Sequence, residues 1–317
     1  MFATLLSRSG PGPGPGPGPG PGRGRGRGRG PALLALSLVL AAGAAAAHDT
    51  WFEPLAAQRS TAAGARLLAL GTGNQFPLHE VGVGANFLAR HGCRRGDVAL
   101  PLVALRNADA ALVLLVPAPR PPVPSPVPAP GPATEVQSRP AVAAPVSCWA
   151  QLASAEIDLP PDKIELYLDE AQPPPAVREA WAAMRARGLP WRERYTKNAR
   201  IELPGADPMA AIATAPSGMD MDVLLTAPRL PAAVGDELGF QVLRHGQPLP
   251  RFAVEFRNDR DGQGQWRRTD DQGRLRFAPA LAGRWVLRGI DLRLSQTLPD
   301  QWEGQFVTLA FEVGARP

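Results

Sequence analysis

Only two lysines, Lys163 and Lys197, stand among the 34 basic residues of this 317-residue chain, and arginine supplies the rest. Cysteine occurs twice, histidine four times, and aromatic residues make up 6%. A pI near 10.0 would suggest a nucleic-acid surface. However, Arg8, Arg23, Arg25, Arg27 and Arg29 all precede residue 48, and no acidic residue accompanies them. Without that segment the basic residues equal the 29 acidic ones. A phosphate-binding groove needs a local excess of cations, so nucleic acid is excluded as a partner. Cys93 and Cys148 lie too far apart for a zinc ribbon. In an oxidising compartment they are either two free thiols or a disulfide, which would add roughly 4 kcal/mol by constraining the unfolded chain. There is no G-x-S-x-G elbow, H-E-x-x-H pair, Walker loop or Rossmann glycine pattern, so the chain is not read as an enzyme.

Glycine (33) and proline (37) are abundant and concentrated in blocks. Residues 1–47 run from a Gly-Pro alternation through an Arg-Gly alternation into ALLALSLVLAAGAAAA, residues 32–47. A cationic start, a short apolar stretch and small residues before His48 have the form of a secretory signal peptide. The stretch is shorter than the ~20 strongly apolar residues a spanning helix needs. The expected location is therefore periplasmic, with cleavage near Ala47. A cut there would leave His48 with a free α-amine, and imidazole plus amine chelate a divalent metal. A cut two residues earlier would give Ala46-Ala47-His48, a donor set suited to square-planar copper(II) or nickel(II).

The mature chain reads as mostly β, with two β-sandwich-like regions. Residues 48–210 form the first, with apolar runs at 65–70, 98–105, 110–116 and 146–152 as strands. It contains a proline-rich loop, 117–145, with eleven prolines, which cannot pack a core; the runs on either side of it could pair. A helical insertion is expected over 162–187, its clearest part entered through Pro174. Val177, Ala180, Trp181 and Met184 share one face of that part, and Gly188 stops it. Residues 215–317 show about seven short strands with turn signals roughly every 8–12 residues, the pattern of an immunoglobulin-like sandwich.

Several landmarks follow one another in a fixed order. Ala47-His48-Asp49-Thr50-Trp51-Phe52-Glu53-Pro54 opens the mature chain, and Gly71 to Pro77 (GTGNQFP) follows the first long strand. Trp191-Arg-Glu193-Arg194-Tyr195-Thr-Lys197 follows the helix. Next come Gly246-Gln-Pro248-Leu249, Thr269-Asp270-Asp271-Gln-Gly273, Gly283-Arg-Trp285-Val-Leu287 and Trp302-Glu-Gly-Gln-Phe306. In this order they resemble an exported bacterial domain-of-unknown-function family described as the periplasmic component of a cobalt or nickel uptake system (NikM-like). The sequence departs from that family in its proline-rich insert and in Asp222, where a glutamate is expected. The resemblance implies a two-part periplasmic β protein and a divalent transition metal, nickel or cobalt, as ligand. The ligand types would also suit copper or zinc.

Three residues are the candidate metal ligands: His48, and His79 with Glu80 in the glycine-punctuated loop after Phe76-Pro77. Asp49 and Glu53 lie close enough in sequence to assist His48. His91 beside Cys93 could chelate only if that sulfur is not in a disulfide. His245 falls in a turn and is left out of the site. Glu193, Arg194, Tyr195 and Lys197 form a polar cluster read as an ion-paired bridge or a partner surface, and Asp270-Asp271-Gly273 as a β-turn. The expected function is periplasmic binding of a divalent metal ion for uptake or handling, with a membrane transporter or envelope protein as partner. The alternatives are a non-catalytic β-sandwich adaptor for an envelope protein or polymer, and an exported hydrolase.

Overall fold

A computed structural model describes residues 48–56, 64–118, 144–207, 209–210, 212 and 215–316. The signal-like segment 1–47 and most of the proline-rich loop lie outside the described residues. In chain order the elements are β1 (Asp49–Leu55), β2 (Arg66–Gly73), β3 (Val81–Gly82), a 3-10 turn (Ala85–Phe87), β4 (Leu88–Arg95), β5 (Val98–Leu100), β6 (Val103–Asn107), β7 (Ala111–Val116), β8 (Val146–Leu152) and β9 (Ala155–Leu159). Two helices follow, α1 (Pro161–Ala171) and α2 (Pro175–Ala186). The remaining strands are β10 (Trp191–Leu203), β11 (Met221–Thr226), β12 (Ala232–Ala233), β13 (Leu238–Arg244), β14 (Gln247–Pro248), β15 (Ala253–Asn258), β16 (Gln265–Arg268), β17 (Arg274–Phe277), β18 (Gly283–Leu294) and β19 (Trp302–Gly314). The fold is mostly β, as expected.

Three sheets form. The first has the order β1-β2-β7-β6, with β3 also on β2. The second is a ten-stranded sheet, β16-β15-β18-β19-β10-β8-β4-β5, with β9 on β10 and β12 on β19. The third is β11-β13-β14, with β17 on β13. Side chains alternate across a strand, and β19 uses both of its faces. Val307, Leu309, Phe311 and Val313 enter the core shared with the third sheet. Ala310 enters the core shared with the first sheet, and Phe306 the core under the helices. The large sheet is thus a middle layer. The third sheet covers one of its faces, and the first sheet and the helix pair cover the other.

The regions 48–210 and 215–317 share this middle sheet, because β10 runs parallel to β19 with Glu193 opposite Trp302 and Ile201 opposite Ala310. The run 98–105 divides into β5 and β6, which belong to different sheets. The runs flanking the proline-rich loop are strands but do not pair, since β7 lies in the first sheet and β8 in the second. The loop therefore joins two layers. Cys93 and Cys148 sit directly opposite each other on β4 and β8 and form a disulfide, so that sulfur is closed to metal.

Each helix starts behind prolines, whose fixed φ and missing N–H suit a first turn. Val177, Trp181 and Met184 of α2 are buried as the periodicity predicts. Trp181 meets Trp191 edge-on with centroids 5.3 Å apart, and Trp191 stacks on Trp302 at 4.6 Å. Aromatic pairs at such distances add to the burial of their large apolar area.

Candidate functional site

β1 pairs antiparallel with β2, Asp49 opposite Gly73 and Thr50 opposite Thr72, and the two threonine hydroxyls bond across the pair at 2.8 Å. Continued one residue, this register sets His48 beside Asn74. On the other edge of β2, Val81 is opposite Thr72, and the N–H of Glu80 donates to the Thr72 carbonyl at 2.8 Å. The end of a three-strand ribbon therefore gathers His48, Asn74 and Glu80. Asn74 Nδ2 lies 3.0 Å from His48 Nε2 and donates to Glu80 Oε2 at 3.0 Å. The Asn74 backbone N–H donates to Glu80 Oε1 at 3.3 Å. His48 Nε2 and Glu80 Oε2 are 3.5 Å apart. Asn74 Oδ1 is buried and makes no hydrogen bond.

His79 does not join them. Adjacent residues of an extended segment point to opposite sides, and His79 turns inward while Glu80 turns toward His48. The His79 ring lies against Trp51, centroids 5.1 Å apart, with Nε2 bonded to the Trp51 carbonyl at 3.2 Å. It fills the space over Gly71, where an added Cβ would come within 2.4 Å of the ring. Burial pulls its pKa below the usual histidine value, as expected for a neutral ring in an apolar setting. Asp49 and Glu53, the proposed helpers of His48, are engaged by arginines. Asp49 pairs with Arg288, and Glu53 lies 3.2 Å from Arg284. His91 is exposed on β4. His245 occupies a left-handed turn position beside Gly246, with Asp220 3.8 Å away. Asp270 Oδ1 accepts the N–H groups of Gln272 and Arg274, both at 2.8 Å, so this segment is a turn, as read. Among the described residues no group of three histidine, cysteine, aspartate or glutamate side chains is placed to hold a metal.

Behind the ribbon end lies a network that sequence reasoning missed. Arg257 Nη1 donates to the Asn74 carbonyl at 3.3 Å, and its Nη2 lies 3.0 Å from Glu255 Oε2. That carboxylate accepts from Arg288 Nη1 at 2.8 Å, and Arg288 Nε reaches Asp49. Asp49, Glu255 and Arg288 are all buried, and the two carboxylates raise the pKa of Arg288 over the opposing effect of desolvation. The Asn74 loop is thereby tied back to the residue next to His48.

Beyond Asp49, the scattered landmark motifs meet. Glu193 is 2% exposed and accepts from Tyr167 Oη at 2.8 Å and Trp191 Nε1 at 3.1 Å. Desolvation raises its pKa to about 7 against those hydrogen bonds. It packs against Gly304, where a Cβ would stand 1.9 Å from its Oε1. Lys197 keeps part of its side chain at the surface, while its ammonium lies 5.6 Å from the Tyr195 ring and 5.8 Å from Phe306. Desolvation lowers its pKa to about 8, opposed by the charge of Asp49. Arg194 points outward to Glu156 at 2.8 Å. On the opposite face of β10, Arg200 binds Glu202 at 2.8 Å and Asp222 at 3.2 Å, all three buried. Asp222, the departure from the expected glutamate, thus holds a structural place.

A model of a domain of unknown function, DUF4198, matches residues 177–290. This span covers α2 through most of β18 and includes Glu193, Lys197 and Arg288, and it stops short of the ribbon end at His48. No curated protein matches the chain.

Proposed function

We propose that the chain is an exported protein that binds one divalent transition-metal ion at the end of β1, for uptake or handling of that ion. His48 and Glu80 are its side-chain ligands. The observation that carries this reading is the convergence of the His48 imidazole and the Glu80 carboxylate, 3.5 Å apart, on the Asn74 side chain, whose Nδ2 lies 3.0 Å from each. An imidazole nitrogen and a carboxylate oxygen are the donor types of a borderline-soft divalent ion. Two side chains make an incomplete set. Removal of residues 1–47 would add the α-amine of His48 as a third donor. The signal-like segment before His48 and the resemblance to cobalt and nickel uptake components point the same way. His79 serves this site indirectly, by seating Trp51 and the strand that carries His48.

Native mass spectrometry of protein purified from the periplasm without chelator, followed by titration with nickel, cobalt, copper and zinc, tests the proposal. The expected species begins at His48 and carries one ion. His48→Ala should abolish uptake, and Glu80→Gln should weaken it by at least about tenfold, the loss that removing even an outer carboxylate causes at a metal site. Protein that takes up none of the four ions, or takes them up equally well after His48→Ala, would overturn the reading.

A further inference from the structure

A second site opens on the far side of the helix pair, independent of the metal proposal. A groove of about 710 Å³ runs between the start of α2, the turn 249–253 and the last residues of β18, within the usual size range of binding clefts. Pro174, Pro175, Pro250 and Leu294 form exposed apolar walls, and Phe252 and Leu292 lie in the floor.

The groove exists because β15 leaves β18 early. The two strands pair from Asn258–Trp285 to Glu255–Arg288 and no further. The chain before β15 is held away by Thr269, whose hydroxyl donates to the Leu249 carbonyl at 2.7 Å and accepts the Phe252 N–H at 2.9 Å. Arg251 adopts the left-handed conformation this turn requires. From Ile290 to Leu294, β18 keeps its ladder with β19. Past Arg288 its other edge is paired with no described strand. In an antiparallel ladder alternate residues direct N–H and C=O away from the paired neighbour, so this edge presents unpaired groups along roughly 13 Å. An open edge of this kind is a template for an added strand.

The rim carries an excess of positive charge. Arg251, Arg268 and Arg293 line the groove, with Asp291 as the one carboxylate among the lining residues. Asp291 is shared between Arg244 at 3.0 Å and Arg293 at 2.8 Å. Among the described residues Arg268 reaches backbone carbonyls alone, those of Arg251 at 3.1 Å and Gln172 at 3.5 Å. Arg251 is exposed and lies 3.6 Å from the exposed Asp271. We infer that this groove receives an extended peptide segment of a partner protein, which adds as a short strand on the free edge of β18. Its apolar side chains would lie against the proline and leucine walls and its acidic side chains beneath Arg251 and Arg268.

The probe is a fluorescein-labelled seven-residue peptide alternating valine and glutamate, followed by fluorescence polarisation with the purified full chain. Saturable binding is expected that weakens at least tenfold with Arg268→Glu. It should be lost by the equivalent valine-lysine peptide, and lost when alternate peptide amides are N-methylated in one of the two registers. The absence of saturable binding, equal binding of the lysine peptide, or indifference to Arg268→Glu would overturn the proposal. Full binding by both N-methylated peptides would reduce it to surface charge and overturn strand addition. Sedimentation showing that the chain pairs with itself through this edge, and that the peptide separates the pair, would replace the partner protein with a second copy.

Discussion

Glu193 and Lys197 lie on the same face of β10, and among the described residues neither has an opposite charge within ion-pair distance. An ionised carboxylate buried without a cation is costly, and Glu193 answers by holding its proton up to about pH 7 instead of its ordinary 4.5. Between those values the folded chain retains a proton that the unfolded chain has released, so each rise in pH favours unfolding. Above about 7 both states are ionised and the loss is complete. Lys197 acts in the opposite direction at higher pH. The folded chain releases its proton near 8 and the unfolded chain near 10.5, so this penalty fades as pH rises between them. Urea unfolding at pH 5 and pH 7.5 should therefore show Glu193→Gln gaining stability relative to the native chain as the pH rises. A difference between the two proteins that does not change with pH would contradict this. Tyr167 remains a donor throughout, because burial beside Glu193 holds its hydroxyl well above the usual tyrosine range.

At the scale of elements, β1 is the piece that makes the candidate site. It is fastened to β2 through its ladder and to the middle sheet through side chains. Thr308 Oγ1 donates to the Thr50 carbonyl at 2.6 Å, and Arg288 pairs with Asp49. Replacing a buried ion network by apolar groups can be neutral, but removing one member strands the others. Arg288→Met would leave Asp49 without its cation, whereas Glu255 would retain Arg257. A loss of about 3–5 kcal/mol is expected, read from the midpoint of denaturant unfolding. Metal uptake should weaken as well, since His48 directly precedes the unpaired Asp49. The helix pair works similarly from the opposite end: its Trp181 and Tyr167 close the core over Trp191 and Glu193.

Across the whole molecule the middle sheet is the common frame, and the disulfide is its covalent tie. Cys93 and Cys148 connect β4 to β8 across a 55-residue separation that includes β5, β6, β7 and the proline-rich segment. Opening that loop frees the unfolded chain, so Cys93→Ala with Cys148→Ala should cost about 4 kcal/mol. Denaturant unfolding of the native chain with and without reductant should reproduce that difference. The double variant should show no response to reductant. Among the described residues no helix is long and apolar enough to cross a membrane.

The sequence by itself determined the local structure. Side-chain periodicity and proline punctuation are short-range properties, so α2 with its buried Val177, Trp181 and Met184, the strand-rich second half and the turn at Asp270 could all be read directly. It also named His48 and Glu80 as candidate ligands, because their donor chemistry is intrinsic to the side chains. The tertiary structure decided what meets what. Asn74 enters the site only through the register of β1 on β2, and His79 leaves it because Trp51 and Gly71 offer its ring an apolar seat. Asp49 finds Arg288 across most of the chain, and Glu193 lies against Gly304. No spacing rule encodes such pairings, since they depend on which strands become neighbours. The same holds for the shared middle sheet: one region's strands read much like the other's, and only the parallel pairing of β10 with β19 joins them.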